Sequence, residues 1–304
     1  MPTRRCSSCS AVVELPESVF SARCSFCDNP LVDVEMTVAA PPDEVVPFLV
    51  SRAQAVGQLK QYVRGHWFAP EHLRKATRSE ELKDVMVPFY AYDALVRTAF
   101  ECGVGIHWYR TETYTTYENG KAVTRTRVVQ ETEWFGFEGS HARRWFDHLV
   151  SASKGLPEAE SNALEPYDLG RALPYAPALV AGVEAEVPTV ATGDAKAVAV
   201  EELNQLEKET IRSTHLPGDR VRNLTTRSEA EVDRMRRVLL PVWVAVYRFK
   251  KGTFRLLVNG QTGEVVGTVP KDPFKWGCMW SVLLAVTLGG FLMCLGVFGM
   301  VEAL

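Results

Sequence analysis

Hydrophobic spacing divides this chain into stretches of different kinds. From 51 to 64, Ala53, Val56, Leu59 and Val63 recur at helical spacing behind a Ser51-x-x-Gln54 capping box, and Gly65 is a stop signal. A second helical stripe, Ala199, Leu203 and Leu206, lies within 194–212, with Asp194 as N-cap. "DVMVPFYAYDALVRTAF", Asp84 to Phe100, is apolar on both faces and predicts a strand covered on both sides, with Pro88 marking a bulge or an edge. Residues 108–135 alternate Thr, Tyr and Val with charges around Asn119-Gly120, the pattern of a long polar hairpin projecting from the body. Residues 237–270 predict three strands in a meander, turned at Lys251-Gly252 and again at Asn259-Gly260 with Thr262-Gly263.

The last apolar run is longer. Gly277 to Val301 carries no charge, and as a helix rising about 1.5 Å per residue it spans roughly 37 Å, enough for a bilayer core of about 30 Å. Trp276 and Trp280 sit at its start, Lys271 and Lys275 precede it, and Glu302 is the only charge after it. This bias predicts a single-pass tail anchor, with the N-terminal body cytoplasmic. Ser281, Ala285 and Gly289 share one face of that segment and offer a surface for homo-oligomer formation.

The expected fold class is α+β, with a helix laid on an antiparallel sheet. Four parts are expected: a metal ribbon at 1–36, an α+β unit at 37–175 with the 108–135 hairpin, a second α+β unit at 176–272 with the 237–270 meander, and a transmembrane tail at 273–304. "DVMVPFYAYDALV" and "RVLLPVWVAVYRF" share an apolar run, a proline (Pro88, Pro241), an aromatic and then alternation, so the two units read as related halves.

Composition adds little to this picture. A net charge of −3 gives no general attraction to nucleic acid or acidic lipid. The seven cysteines say more. Cys102, Cys278 and Cys294 are scattered, but Cys6, Cys9, Cys24 and Cys27 form two Cys-x-x-Cys pairs. Two such knuckles supply four sulfurs to one centre, the demand of a closed structural Zn²⁺ site, and zinc is favoured over disulfides or an iron centre. A ribbon of about thirty residues buries too little apolar surface to fold alone, so the metal would supply its folding energy. Arg4, Arg5 and Arg23 are balanced by Glu14, Glu17 and Asp28, leaving no basic stripe for phosphates.

No nucleophile elbow, zinc-protease helix, dinucleotide fingerprint or phosphate-cradling loop occurs; the Gly-Lys at 120–121 is followed by Ala122. Two weaker clusters stand out. One is His66, Glu71 and His72, as a second metal set; the other is Arg143 and Arg144 between His141 and His148, as an anion spot.

Taken together, the four-cysteine front, "VPFYAYD", "LPVWVAVYRF", "LVNGQTGEVVG" and the apolar tail resemble a group of bacterial membrane-anchored TFIIB-type zinc ribbon-containing proteins, sometimes labelled primosomal protein N′-like helicase. The missing phosphate loop argues against the helicase label. The resemblance implies a bacterial inner-membrane protein, and the expected function is a membrane-tethered cytosolic zinc-ribbon adapter that binds a protein partner at the inner face of that membrane, with the lipid bilayer met through 277–301. The alternative is a small-molecule sensor or enzyme with a pocket between the two halves, and nucleic-acid binding ranks below both. No catalytic residue is assigned.

Overall fold

The computed structural model describes residues 3–5, 12–14, 19–24, 27, 29–32, 41–67, 69–70, 82–118, 120–249 and 252–270. In chain order these form β1 (Thr3–Arg5), β2 (Val12–Glu14), β3 (Val19–Arg23), β4 (Pro30–Val32), β5 (Glu44–Val45), α1 (Arg52–Gly65), β6 (Leu82–Glu118) and β7 (Lys121–Ser151). There follow α2 (Glu158–Leu164), β8 (Leu173–Pro174), β9 (Glu184–Glu186), α3 (Thr192–Thr210), β10 (Arg220–Phe249), β11 (Gly252–Asn259) and β12 (Val265–Gly267). β1 pairs with β2; the rest form a 10-stranded sheet with the order β12-β11-β10-β6-β9-β3-β4, to which β5 joins beside β10, β8 beside β5 and β7 beside β6.

The chain divides into two compact units, neither of them one continuous segment. The first takes the described parts of Met1–Phe89, Ser153–Thr189 and Val238–Leu304; the second takes Tyr90–Ala152 and Val190–Arg237. β6 and β10 supply strand to both.

In the first unit, α1 starts where the sequence says it should. Gln54 N–H donates to Ser51 Oγ at 3.4 Å and Ser51 N–H donates to Gln54 Oε1 at 2.9 Å, a reciprocal capping box. Its buried stripe is Ala55, Val56, Leu59 and Val63, with the expected Ala53 exposed, and it packs with Trp243, Leu256 and Val258. A second cluster joins Phe20, Val45, Met86, Ala185, Val187 and Leu239. The meander closes on Asn259, which is fully buried yet satisfied: its Nδ2 donates to the Leu164 and Pro166 carbonyls at 2.7 and 3.1 Å, and its Oδ1 accepts from Gln261 and Thr262 N–H at 2.8 and 3.0 Å. Gly263 supplies the turn's positive φ, +84°.

The two prolines have a common explanation. Upstream of Pro88, β6 pairs with β9 through Val85 and Met86; downstream, Tyr90 and Tyr92 cluster with Val150 and Ala152 at the end of β7. Upstream of Pro241, β10 pairs with β5 through Val238 and Leu239; from Val242 it pairs with β11. Each proline stands where a long strand exchanges one neighbour for another, a place where a missing N–H disturbs least.

In the second unit, Ala195, Ala199 and Leu203 of α3 lie against Tyr90, Tyr92, Ala94, Val96 and Val150. The helix begins three residues earlier than the Asp194 cap implied, at Thr192 after Ala191, and runs into a π-helical turn at Ile211–His215. Leu206 is 37% exposed, and Glu207 takes its place on the buried face.

Two expectations are corrected. The fold is a mostly mixed sheet with few helices, not helices on an antiparallel sheet: β10–β5 and β6–β9 pair in parallel, and single strands run through 37, 31 and 30 residues. Within the expected 1–36 ribbon, β3, which leads into Cys24, pairs with β9, and β9 pairs with β6. Finally, 277–301 lies outside the described residues, and among those described no helix is long and apolar enough to cross a membrane. The single-pass inner-membrane placement is therefore not supported.

Candidate interaction surface

β6 and β7 form the hairpin that 108–135 predicted. β6 ends at Glu118, β7 begins at Lys121, and Gly120 takes φ +76°, as a two-residue hairpin turn requires. Near the base of the hairpin, the Asp219 N–H donates to the Gly105 carbonyl at 2.9 Å, and Asp219 Oδ2 accepts from the His107 N–H at 2.7 Å. β10 begins just after, at Arg220. The His107 ring meets Thr132 Oγ1 across the hairpin at 2.9 Å.

Beyond this point the two strands are held by charge. Arg110 Nε donates to Glu131 Oε1 at 2.5 Å, and Arg127 Nε donates to Glu112 Oε2 at 2.9 Å. The hydrogen bond from Arg127 and its charge hold the Glu112 carboxyl below its usual range; Glu131 likewise raises the Arg110 guanidinium. Arg127 also lies over the Tyr114 ring at 5.3 Å. These strands carry no closed core. Trp108 (43%), Tyr109 (66%), Tyr114 (40%), Tyr117 (77%) and Phe135 (47%) are exposed.

The expected metal set is split. Cys6 and Cys9 lie outside the described residues. Cys24 is buried, Cys27 is exposed, and the Cys24 N–H donates to the Asn29 carbonyl at 2.8 Å, closing the loop between them. Among the described residues no group of three or more His, Cys, Asp or Glu could hold a metal ion. The expected metal-binding ribbon is therefore not seen among the described residues, which hold two of its four sulfurs, those of Cys24 and Cys27. Of the second set, Glu71 and His72 lie outside the described residues, and His66 Nδ1 contacts the Tyr62 carbonyl at 2.8 Å.

The Arg143-Arg144 spot is already occupied by protein groups. Arg143 covers the Trp145 ring at 4.2 Å, and Arg144 pairs with Asp233 at 3.2 Å. The flanking histidines turn to α3 instead. His148 Nε2 meets Glu202 Oε2 at 3.0 Å, and His141 Nδ1 meets Oε1 of the fully buried Glu207. A glutamate within an apolar helix stripe was the one available signal for that contact. Cys102 is buried, and burial pushes its thiol up, away from reactivity.

One cavity of the second unit, of about 670 Å³, is lined by Glu101, Glu138, Ser140, Thr225 and Arg227, all exposed. Nothing there converges on a buried polar centre.

No family model matches the sequence. A Bacillus subtilis (strain 168) protein described as "Uncharacterized protein YdjG" is 24% identical over 253 residues, covering 83% of this chain and 69% of its own length. No solved structure matches.

Proposed function

We propose that this chain is a protein-binding adapter whose contact element is the outer part of the β6–β7 hairpin. The observation that carries the proposal is the group of five exposed aromatics, Trp108, Tyr109, Tyr114, Tyr117 and Phe135, on strands that enclose no core of their own. Aromatic side chains are enriched at protein interfaces, where their large, stiff surfaces gain most from desolvation. A ribbon fixed by cross-strand ion pairs presents them in a preorganised array, which lowers the entropy cost of binding.

Zinc belongs to the same proposal. Cys6, Cys9, Cys24 and Cys27 would hold one Zn²⁺, with the closed loop at Cys24 supporting the second knuckle. Bound there, the metal would tie the N-terminal segment to the β3–β9–β6 part of the sheet.

The hairpin is tested by shortening it. Residues 109–130 are replaced by an Asn-Gly turn, and proteins cross-linked to the intact and shortened chains in cells are compared. Adducts that require the hairpin support the adapter reading. An identical set of adducts from both chains contradicts it.

A further inference from the structure

The outer edge of β7 has an unusual sequence symmetry. Among the described strands β7 pairs with β6 alone, so its other edge presents backbone N–H and C=O groups without a strand beside them. Natural edge strands commonly discourage pairing with proline, a bulge or an inward-pointing charge. From Lys121 to Phe146 β7 has no proline, and its positive φ falls only afterwards, at Asp147.

Residues 123–135 read "VTRTRVVQETEWF". About Val129 the segment is charge-complementary to itself reversed: Arg127 mirrors Glu131, Arg125 mirrors Glu133, Thr126 mirrors Thr132 and Val123 mirrors Phe135. Resting on the hairpin as contact element, we propose that β7 pairs antiparallel with β7 of a second copy of this chain, across a two-fold axis at Val129. The interface is then isologous, as closed dimers require.

The charges already seen within one chain fit this arrangement. Arg127 pairs with Glu112 and Glu131 pairs with Arg110 on one face of the hairpin. Across four strands Glu112, Arg127 and the partner's Glu131 stand in one row, the partner's Arg110 reaches that Glu131 from the neighbouring diagonal position, and the sign alternates at every step. Arg125 faces the partner's Glu133 in the next row. On the opposite face the even-numbered residues from 122 to 134 carry no charge, and Thr126 meets the partner's Thr132. Moving the axis by one residue, to Val128 or Gln130, leaves only one arginine–glutamate match on each chain.

Backbone parity agrees. In a hairpin with a two-residue turn, Glu118 and Lys121 form a hydrogen-bonded pair, so the odd-numbered residues of β7 bond to β6. The even-numbered residues then direct N–H and C=O outward. Val128 meets the partner's Gln130 and exchanges two hydrogen bonds, while Val129 faces its own copy in a non-hydrogen-bonded pair, with Cα atoms about 4.5 Å apart.

That spacing is within disulfide range, roughly 4.4–6.8 Å. In the full chain, V129C is expected to give a covalent dimer under mild oxidation, at least about tenfold more than wild type or V128C, whose site is offset from its own copy. Sedimentation should show a wild-type dimer, monomers for R125E/R127E and for E131R/E133R, and a restored dimer when the two variants are mixed. A wild-type monomer at tens of micromolar, or V129C cross-linking no better than V128C, overturns the proposal. If V129C fails while hairpin-dependent adducts of other proteins persist, self-pairing is refuted and the adapter reading stands. If both are lost, both fall.

Discussion

β6 lives under two regimes. From Val85 to Tyr92 every residue is buried; from Trp108 to Thr111 every residue is exposed. The first stretch is held by apolar packing on both faces, the second by its neighbour strand and by Arg110, Glu112, Arg127 and Glu131. The comparison separates what the strand needs in order to fold from what it presents. Burial near the start sets stability, and the outer part can change composition with little effect on folding. Exposed aromatics there are accordingly read as serving contact.

The sharpest way to break this comparison is at the buried end. Phe89→Ala removes a fully buried ring packed near Tyr167, at 6.4 Å, and should destabilise the protein by about 3–5 kcal/mol in chemical denaturation. A loss near zero would mean that the base is not the stabilising region.

Metal removal comes next. The four-sulfur proposal expects one zinc per chain by elemental analysis, and expects chelation to raise hydrogen exchange at Val85 and Met86, since β3 reaches β6 through β9. Absence of zinc in freshly purified protein contradicts the proposal. Exchange confined to the first thirty or so residues would contradict the integral sheet.

A smaller effect is expected in alkali. Burial pushes the Tyr92 phenol up to about 12, and that of Tyr247 likewise to about 12. A raised folded value means that the neutral form is the one the fold accommodates. The stabilisation is fully present below the unfolded value of about 10 and is lost as pH climbs from there through 12. Thermal midpoints should fall over that window, and Tyr92→Phe should reduce the fall. The smallest effect is expected on the ribbon. At concentrations where the chain is monomeric, Arg127→Gln removes an exposed ion pair and should leave the thermal midpoint unchanged within error.

Local signals carried much of the fold. The Ser51–Gln54 box, the helical stripe beneath it, the turn at 119–120 and the meander all followed from spacing, because capping and tight turns are decided within a few residues. Long-range pairing was out of reach. Nothing in "VVP" near Val45, or in the short β9, announces a parallel partner, and those pairings make the sheet mixed. Prolines 88 and 241 were noticed as a repeated pattern, but their meaning depended on which strands exchange beside them. Asn259 was legible as a turn residue, whereas its bonds to Leu164 and Pro166 depend on a segment far away in sequence. At the candidate site, the hairpin was visible in the sequence, but the exposure of its aromatics was not, since alternating Tyr and Thr fits a half-covered strand equally well.

The most direct test of the hairpin as a contact element is a photo-reactive phenylalanine analogue at position 117, where the native tyrosine is 77% exposed. Irradiated in cells, it should yield discrete protein adducts that vanish when Trp108, Tyr109 and Tyr114 are changed to serine. Irradiation that yields no adduct, or adducts indifferent to those three changes, would contradict the account.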